Sequence, residues 1–324
     1  MPPTSPTDDD ENDDDALALW AREETPILTL SLPSFPLKDA DAESSIESEI
    51  YSRETLKLRQ YPSDHNNWGI HGTVWDGGVA QLAYMHQHWL QEFATSHHDN
   101  TTEVERHKVD LIDLGSGTGV LGLGLFLLAN GTNSRIENTK RISFDSIFLT
   151  DLKVAVPLLK ENLELNHLQE KEGNTQCFVE ELSWGEELFS SIQEVLMRKS
   201  NNQILVTGAD IVYRQNLFGP LLKTMRHMAD KVESMSAISF LFSSQSIRSH
   251  LKEFWDLCQD EGWNILPKAM VRVSEHPAKL PEIEERFEAY GDFLKDNPWS
   301  LVESKRAPGV VVVYEILPSF LYKK

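Results

Sequence analysis

Cysteine is nearly absent: Cys177 and Cys258 are the two in 324 residues. So distant a pair supports neither a disulfide framework nor a structural zinc cluster, and a reducing compartment suits it best. Long apolar runs are missing as well. The longest, Val120 to Ala129, is too short to cross a bilayer, so no membrane association is expected. The stretch Met1 to Asp15 contains neither a basic nor an apolar segment, and no signal or transit peptide is expected. Basic side chains are scarce, 30 Lys and Arg against 51 Asp and Glu for a net charge of -21. That balance argues against a nucleic acid as partner, because its backbone calls for a positive surface.

Apolar residues make up 40% of the chain, enough for one large or two modest globular domains. Residues 1–20 begin with seven acids in fifteen positions (Asp8, Asp9, Asp10, Glu11, Asp13, Asp14, Asp15) and no base. Such a segment repels itself and has little to bury, so it reads as a disordered, solubilising tail. Residues 21–66 form an N-terminal extension. Leu28, Leu30 and Leu32, then Leu56 and Leu58, alternate as in a β-hairpin, with the acidic Asp39–Glu49 stretch between them.

From residue 67 onward apolar runs alternate with amphipathic stretches. Strands are expected at Val109–Leu114, Ile142–Thr150, Cys177–Val179, Ile204–Thr207, Ala237–Phe242, Trp263–Leu266 and Val310–Leu317. Helices are expected at Val120–Ala129, at Ala155–Leu165, through Leu217–Met225 and around Leu251–Cys258. This alternation predicts an α/β fold, a doubly wound, mostly parallel, seven-stranded sheet whose ligands bind at the strand C-termini. Val273 to Gly309 reads as an insertion with helical content around Glu282–Leu294. His86 and His88, two apart on an expected helix, point in different directions, and His97 and His98 fall in a polar loop, so no metal site is expected.

Asp113-Leu-Gly-Ser-Gly-Thr-Gly119 follows a strand and opens a helix. Glycines there let the backbone turn sharply and approach a ligand closely, and the helix start offers free N–H groups. Gly117, Gly119 and Gly122 also satisfy the dinucleotide fingerprint, which keeps a nicotinamide enzyme as a competitor. Asp113 argues against a pyrophosphate and for a ligand with a cationic amino-acid end. Asp151, at the end of the next strand, suits a ribose diol in either ligand class. A plain strand–helix turn is the bland alternative.

These residues resemble the seven-β-strand S-adenosylmethionine-dependent methyltransferases, and within them methyltransferase family 16, the protein-lysine branch also called methyltransferase-like family 21. Gly72-Thr-Val-Trp-Asp76 resembles the family's Val-Trp-Asp element, and Asp113–Gly119 its first motif. Leu149-Thr-Asp151, with Leu158, Leu159, Asn162 and Asn166 behind it, resembles the second strand and its helix. Leu182-Ser-Trp-Gly185 and Gly208-Ala-Asp-Ile-Val-Tyr213 resemble the third and fourth landmarks, the last containing the Asp-x-x-Tyr signature of this branch. The likeness covers roughly residues 66–242 and the last strand.

The resemblance implies a Rossmann-like class I methyltransferase domain over residues 67–324 with S-adenosyl-L-methionine as cofactor. It implies that Trp75 flanks the methionine end, that Asp113, Gly115, Ser116 and Gly117 line the cofactor, and that Asp151 takes the ribose. Trp184 lies by the adenine, Ala209 closes the pocket floor, and Asp210 and Tyr213 face an incoming amine. Each has a bland rival: Trp75, Trp184 and Tyr213 as core aromatics, Asp151 as a helix cap. An acid such as Asp210 at the end of an apolar strand is costly unless exposed or paired.

The implied reaction is methyl transfer to a lysine of a non-histone protein, of the chaperone, AAA ATPase or translation factor type. A small amine, nicotinamide, or a protein histidine or arginine is an alternative acceptor, and a noncatalytic partner-binding module is an alternative of another class. A monomer is expected, in the cytoplasm with the nucleus as a further compartment.

Overall fold

The computed structural model describes residues 26–33, 54–61, 69–89, 107–130, 142–168, 175–198, 202–232, 238–274, 278–287 and 298–318. The acidic tail, the Asp39–Glu49 connection, His97 and His98, and most of the loop after Asn130 lie outside these residues.

Five strands run parallel at the centre of the chain: β3 (His107–Leu114), β4 (Ile142–Asp151), β5 (Gln176–Glu181), β6 (Gln203–Ala209) and β7 (Ile238–Gln245). β8 (Trp263–Arg272), β9 (Ile283–Arg286) and β10 (Val310–Pro318) complete an eight-stranded sheet of order β5-β4-β3-β6-β7-β10-β8-β9. β10 inserts antiparallel between β7 and β8. Strand residues alternate between the two faces, as a period of two dictates. Val109 and Leu111 enter one core while Ile112 and Leu114 enter the other, and Val311 and Val313 likewise oppose Val310 and Val312. Both faces are covered, which is why these strands read as nearly continuous apolar runs.

The first face is covered by α1 (Asp76–Tyr84), α2 (Val120–Asn130) and α3 (Val156–Leu165), the second by α4 (Ser190–Leu196), α5 (Phe218–Lys231), α6 (Leu251–Asp260) and α7 (Pro298–Glu303). This is the doubly wound arrangement the sequence predicts, with seven strands in that order and an eighth at the edge. The eighth is a correction. Ile283–Arg286, expected as the start of a helix, pairs antiparallel with β8, and residues 288–297 lie outside the described set. Among the described residues of this insertion the helix is α7.

β1 (Ile27–Leu32) and β2 (Glu54–Arg59) form a separate antiparallel pair. Side-chain amides dock its free edge. Asn162 accepts the Arg59 N–H (2.6 Å) and donates to the Arg59 carbonyl (3.1 Å), and Asn166 does the same at Lys57 (2.8 and 2.6 Å). Asn162 on α3 and Asn166 at its C-cap thus stand in for a third strand. Asn162 also donates to the Thr118 carbonyl (2.9 Å), so the clamp reaches the glycine turn.

Candidate functional site

β4 and β6 flank β3 and the chain winds outward from there in both directions, so the C-terminal ends of β3 and β6 border a topological switch point. The glycine turn lies at that point. Gly115, Gly117 and Gly119 have φ of +64°, +54° and +84°, a region that favours glycine. A β-carbon on Gly115 would stand 2.8 Å from Ile211 Cγ2 and 3.2 Å from Trp184 Cζ2, whereas one on Gly117 would meet only the His71 carbonyl at 3.7 Å. The turn is held by Ser116, whose N–H donates to the Thr150 carbonyl (2.9 Å) and whose hydroxyl donates to the Asp113 carbonyl (3.0 Å).

Above the turn is a cleft of about 320 Å³, counting its open side. Trp75, Asp113, Gly115, Ser116, Gly117 and Ala209 line it, together with Thr73, Gly78, Thr118, Val120 and Leu121. Asp113 is 2% exposed, and one carboxylate oxygen accepts the Thr207 hydroxyl at 2.7 Å. Burial pushes its carboxyl up to about 6; the Thr207 and Ser116 hydroxyls oppose the rise and the charge of Asp151 adds to it. A cationic ligand would relieve that cost, and a pyrophosphate would aggravate it.

Asp151, at the end of β4, is 3% exposed. Gly117 N–H donates to its Oδ2 (2.7 Å), Leu152 N–H donates to its Oδ1 (2.7 Å), and His71 Nδ1 lies 3.1 Å from Oδ1. Burial alone would lower the His71 pKa, but its hydrogen bond to Asp151 and that residue's charge outweigh it and hold the imidazole above its usual value. Asp151 does not cap α3, whose N-cap residue is Ala155.

Asp210 follows β6 with a left-handed φ of +54°, a region aspartate tolerates better than most residues. Its carboxylate accepts the N–H groups of Gly77 (2.7 Å) and Gln245 (2.9 Å). It therefore ties the start of α1 and the end of β7 to the tip of β6. That approach needs Gly77: a β-carbon there would stand 2.6 Å from Asp210 Oδ2. Tyr213, three residues on, is half-buried, with the Arg214 guanidinium 5.9 Å from its ring centre.

Residues 52–260, from the start of β2 to the end of α6, match the lysine methyltransferase family. The chain belongs to that family. Among its relatives, protein-lysine N-methyltransferase EFM6 of Saccharomyces cerevisiae is 32% identical over 164 residues, half of this chain and 59% of the relative. Protein N-lysine methyltransferase METTL21A of Mus musculus is 28% identical over 181 residues, 55% of this chain and 63% of the relative. EEF1A lysine methyltransferase 3 of Mus musculus is 29% identical over 160 residues, 49% and 51%. The chain thus spans about three-fifths of the length of the first two relatives.

As a member of this family the chain brings six of the ten expected site residues to one cleft. Trp184 packs against the turn beside Gly115. Asp151 lies under His71 and outside the cleft lining. Asp210 is engaged with two backbone amides, a partner set not visible in the sequence, because Gly77 and Gln245 are more than thirty positions away on either side. Trp75 precedes α1 and donates through Nε1 to the Ile70 carbonyl at 2.8 Å.

Sequence reasoning missed His71, Thr73, Gly78, Thr118 and Thr207. The Gly77-Gly78 pair directly after Asp76 is the one available signal, since adjacent glycines opening a helix point to close backbone approach. His86 lies within a π-helical turn, Met85–Trp89, where burial pushes its imidazole down to about 4. Among the described residues no group of three His, Cys, Asp or Glu is arranged to hold a metal ion.

Proposed function

We propose that this chain is an S-adenosyl-L-methionine-dependent protein-lysine N-methyltransferase that methylates a non-histone protein. The observation that carries this reading is the buried Asp113 carboxylate on the wall of a glycine-cradled cleft, in a chain of the lysine methyltransferase family. The residues fit the cofactor. Asp113 suits an ammonium or sulfonium charge, Gly115 and Gly117 leave backbone where side chains would stand, and Trp75 supplies an aromatic wall. Asp151 and Trp184 stand beside this cleft, where ribose and adenine are proposed to lie. The same Asp113 disfavours the nicotinamide alternative.

The cofactor supplies an activated methyl group on a sulfonium, so the protein's task is to align two reactants and exclude water. A free lysine is protonated, with a pKa of about 10.4, and an ammonium has no lone pair to attack with. A dry site and nearby positive charge favour the neutral amine. The Arg214 guanidinium over Tyr213 adds charge of that sign. Asp210 anchors the tip of β6 and so fixes where Tyr213 stands, and the Tyr213 hydroxyl orients the amine. Because both Asp210 oxygens hold backbone amides, its role is positioning rather than proton removal.

Incubation with labelled S-adenosyl-L-methionine and cell extract is expected to label a discrete protein band, with the methyl mapped to lysine by mass spectrometry. Asp210→Ala should abolish the label while calorimetry still detects the cofactor. Undiminished labelling by that variant would remove Asp210 from the account, and a methyl on histidine or arginine would change the acceptor. The three relatives are named for lysine methylation, which supports lysine here.

A further inference from the structure

We infer that His71 is a latch on the ribose-binding carboxylate, holding an acceptor position of Asp151 that a ribose hydroxyl must take when the cofactor binds. This rests on the cofactor reading above and adds a residue that sets the affinity.

The argument is a count of acceptor positions. A carboxylate offers about four lone-pair sites over its two oxygens. On Asp151 three are in use, by the Gly117 N–H, the Leu152 N–H and His71 Nδ1. A ribose 2′,3′-diol brings two O–H donors, and one site is left. One present partner must yield. The Gly117 and Leu152 amides belong to the glycine turn and to the chain leaving β4, and both are fixed by the sheet. The imidazole is held by side-chain torsions alone, so it is the partner that turns away. The burial pattern agrees: Asp151 is 3% exposed and outside the cleft lining, and the His71 carbonyl faces Gly117 across the same corner.

The latch makes affinity depend on pH. Among the described residues, Asp151 at the end of β4 is the charged group in contact with His71, and Asp113 at the end of β3 acts on Asp151 through space. Pairing with Asp151 keeps His71 protonated to higher pH than usual. Once a hydroxyl displaces it, the imidazole returns toward its ordinary value and sheds a proton. Binding that releases a proton strengthens as pH rises through that window.

The test is calorimetric titration of the full chain with S-adenosylhomocysteine at pH 6.5 and pH 8, with the His71 variants, which keep Asp113, reporting what that acid contributes to the slope. The wild type should gain at least about threefold in affinity between the two. His71→Ala should bind at least as tightly as the wild type at pH 8 and lose most of the pH dependence, and His71→Phe, which keeps the ring volume, should behave alike. The 2′-deoxy analogue brings one fewer hydroxyl, fits the single open site, and should show little pH dependence with the wild type. Weaker binding by both variants, or an unchanged pH slope in them, would overturn the latch while leaving the cofactor reading in place. Absence of S-adenosylhomocysteine binding by every form would overturn the cofactor reading and the latch with it.

Discussion

The two ends of β3 and β4 carry acids in opposite electrostatic settings. At the N-terminal end Asp145 is met by Lys108 Nζ at 2.9 Å, Arg198 Nη1 at 3.3 Å and Asn202 Nδ2 at 3.4 Å. The hydrogen bond from Lys108, helped by its charge, by Asn202 and by Arg198, holds the Asp145 carboxyl below the usual carboxylate range. Its neighbour Asp110, 1% exposed, accepts from the Ser146 hydroxyl and from Asn202 Nδ2 at 3.0 Å. At the C-terminal end Asp113 and Asp151 are as deeply buried, but among the described residues neither has a lysine or arginine partner, and Asp113 is pushed up to about 6. One end of the sheet settles its charges within the chain. At the other, the His71 imidazole meets Asp151, and Asp113 keeps a negative charge that a cationic ligand can answer, which is what separates a binding edge from a structural one.

The strongest disruption of the binding end is Gly115→Arg. A side chain there must displace Ile211 and Trp184 and adopt a left-handed backbone, so calorimetry should detect no cofactor binding in a variant that circular dichroism shows to be folded. Retained binding would place the ligand elsewhere. Asp113→Asn should weaken S-adenosyl-L-methionine by about a hundredfold, the cost of losing a buried charge opposite a cation.

The same substitution should stabilise the unliganded chain. A carboxyl raised from 3.8 to about 6 binds more protons folded than unfolded, so stability falls as pH rises through that window. At pH 7 the asparagine escapes a penalty on the order of 3 kcal/mol, which a denaturant titration would show. Tyr213→Phe removes a hydroxyl but no charge from this end, and should lower kcat roughly tenfold with cofactor affinity intact. Asp145→Asn sharpens the contrast from the other end. It should leave binding and turnover alone and cost about 1 kcal/mol or less at pH 7, because the carboxylate and its partners are partly exposed. That cost should fade as pH falls through the depressed pKa of Asp145, so the two asparagine variants shift stability with opposite signs.

Much of this was legible in the sequence where the physics is local. Strands buried on both faces announce themselves as apolar runs, and Asp113–Gly119 announces a turn through glycine spacing. β9 did not, because Ile283-Glu-Glu-Arg286 is an edge strand held by backbone pairing to β8, without an apolar stripe. β8 reaches Arg272, beyond the expected Leu266, because Pro267 reads as a stop and is tolerated where the pairing with β10 shifts register near Tyr314. The partners of Asp210 and Asp151 could not be read at all. The amides of Gly77 and Gln245 and the imidazole of His71 meet these acids only once the sheet brings distant segments together.

The most direct test of the central claim is calorimetric titration of the wild-type chain with S-adenosyl-L-methionine and, separately, with a nicotinamide dinucleotide, from pH 5 to pH 8. The predicted result is binding of the sulfonium alone, with affinity that rises as Asp113 loses its proton near pH 6. Binding of the dinucleotide in preference, or sulfonium affinity that strengthens as the solution becomes more acid, would contradict it.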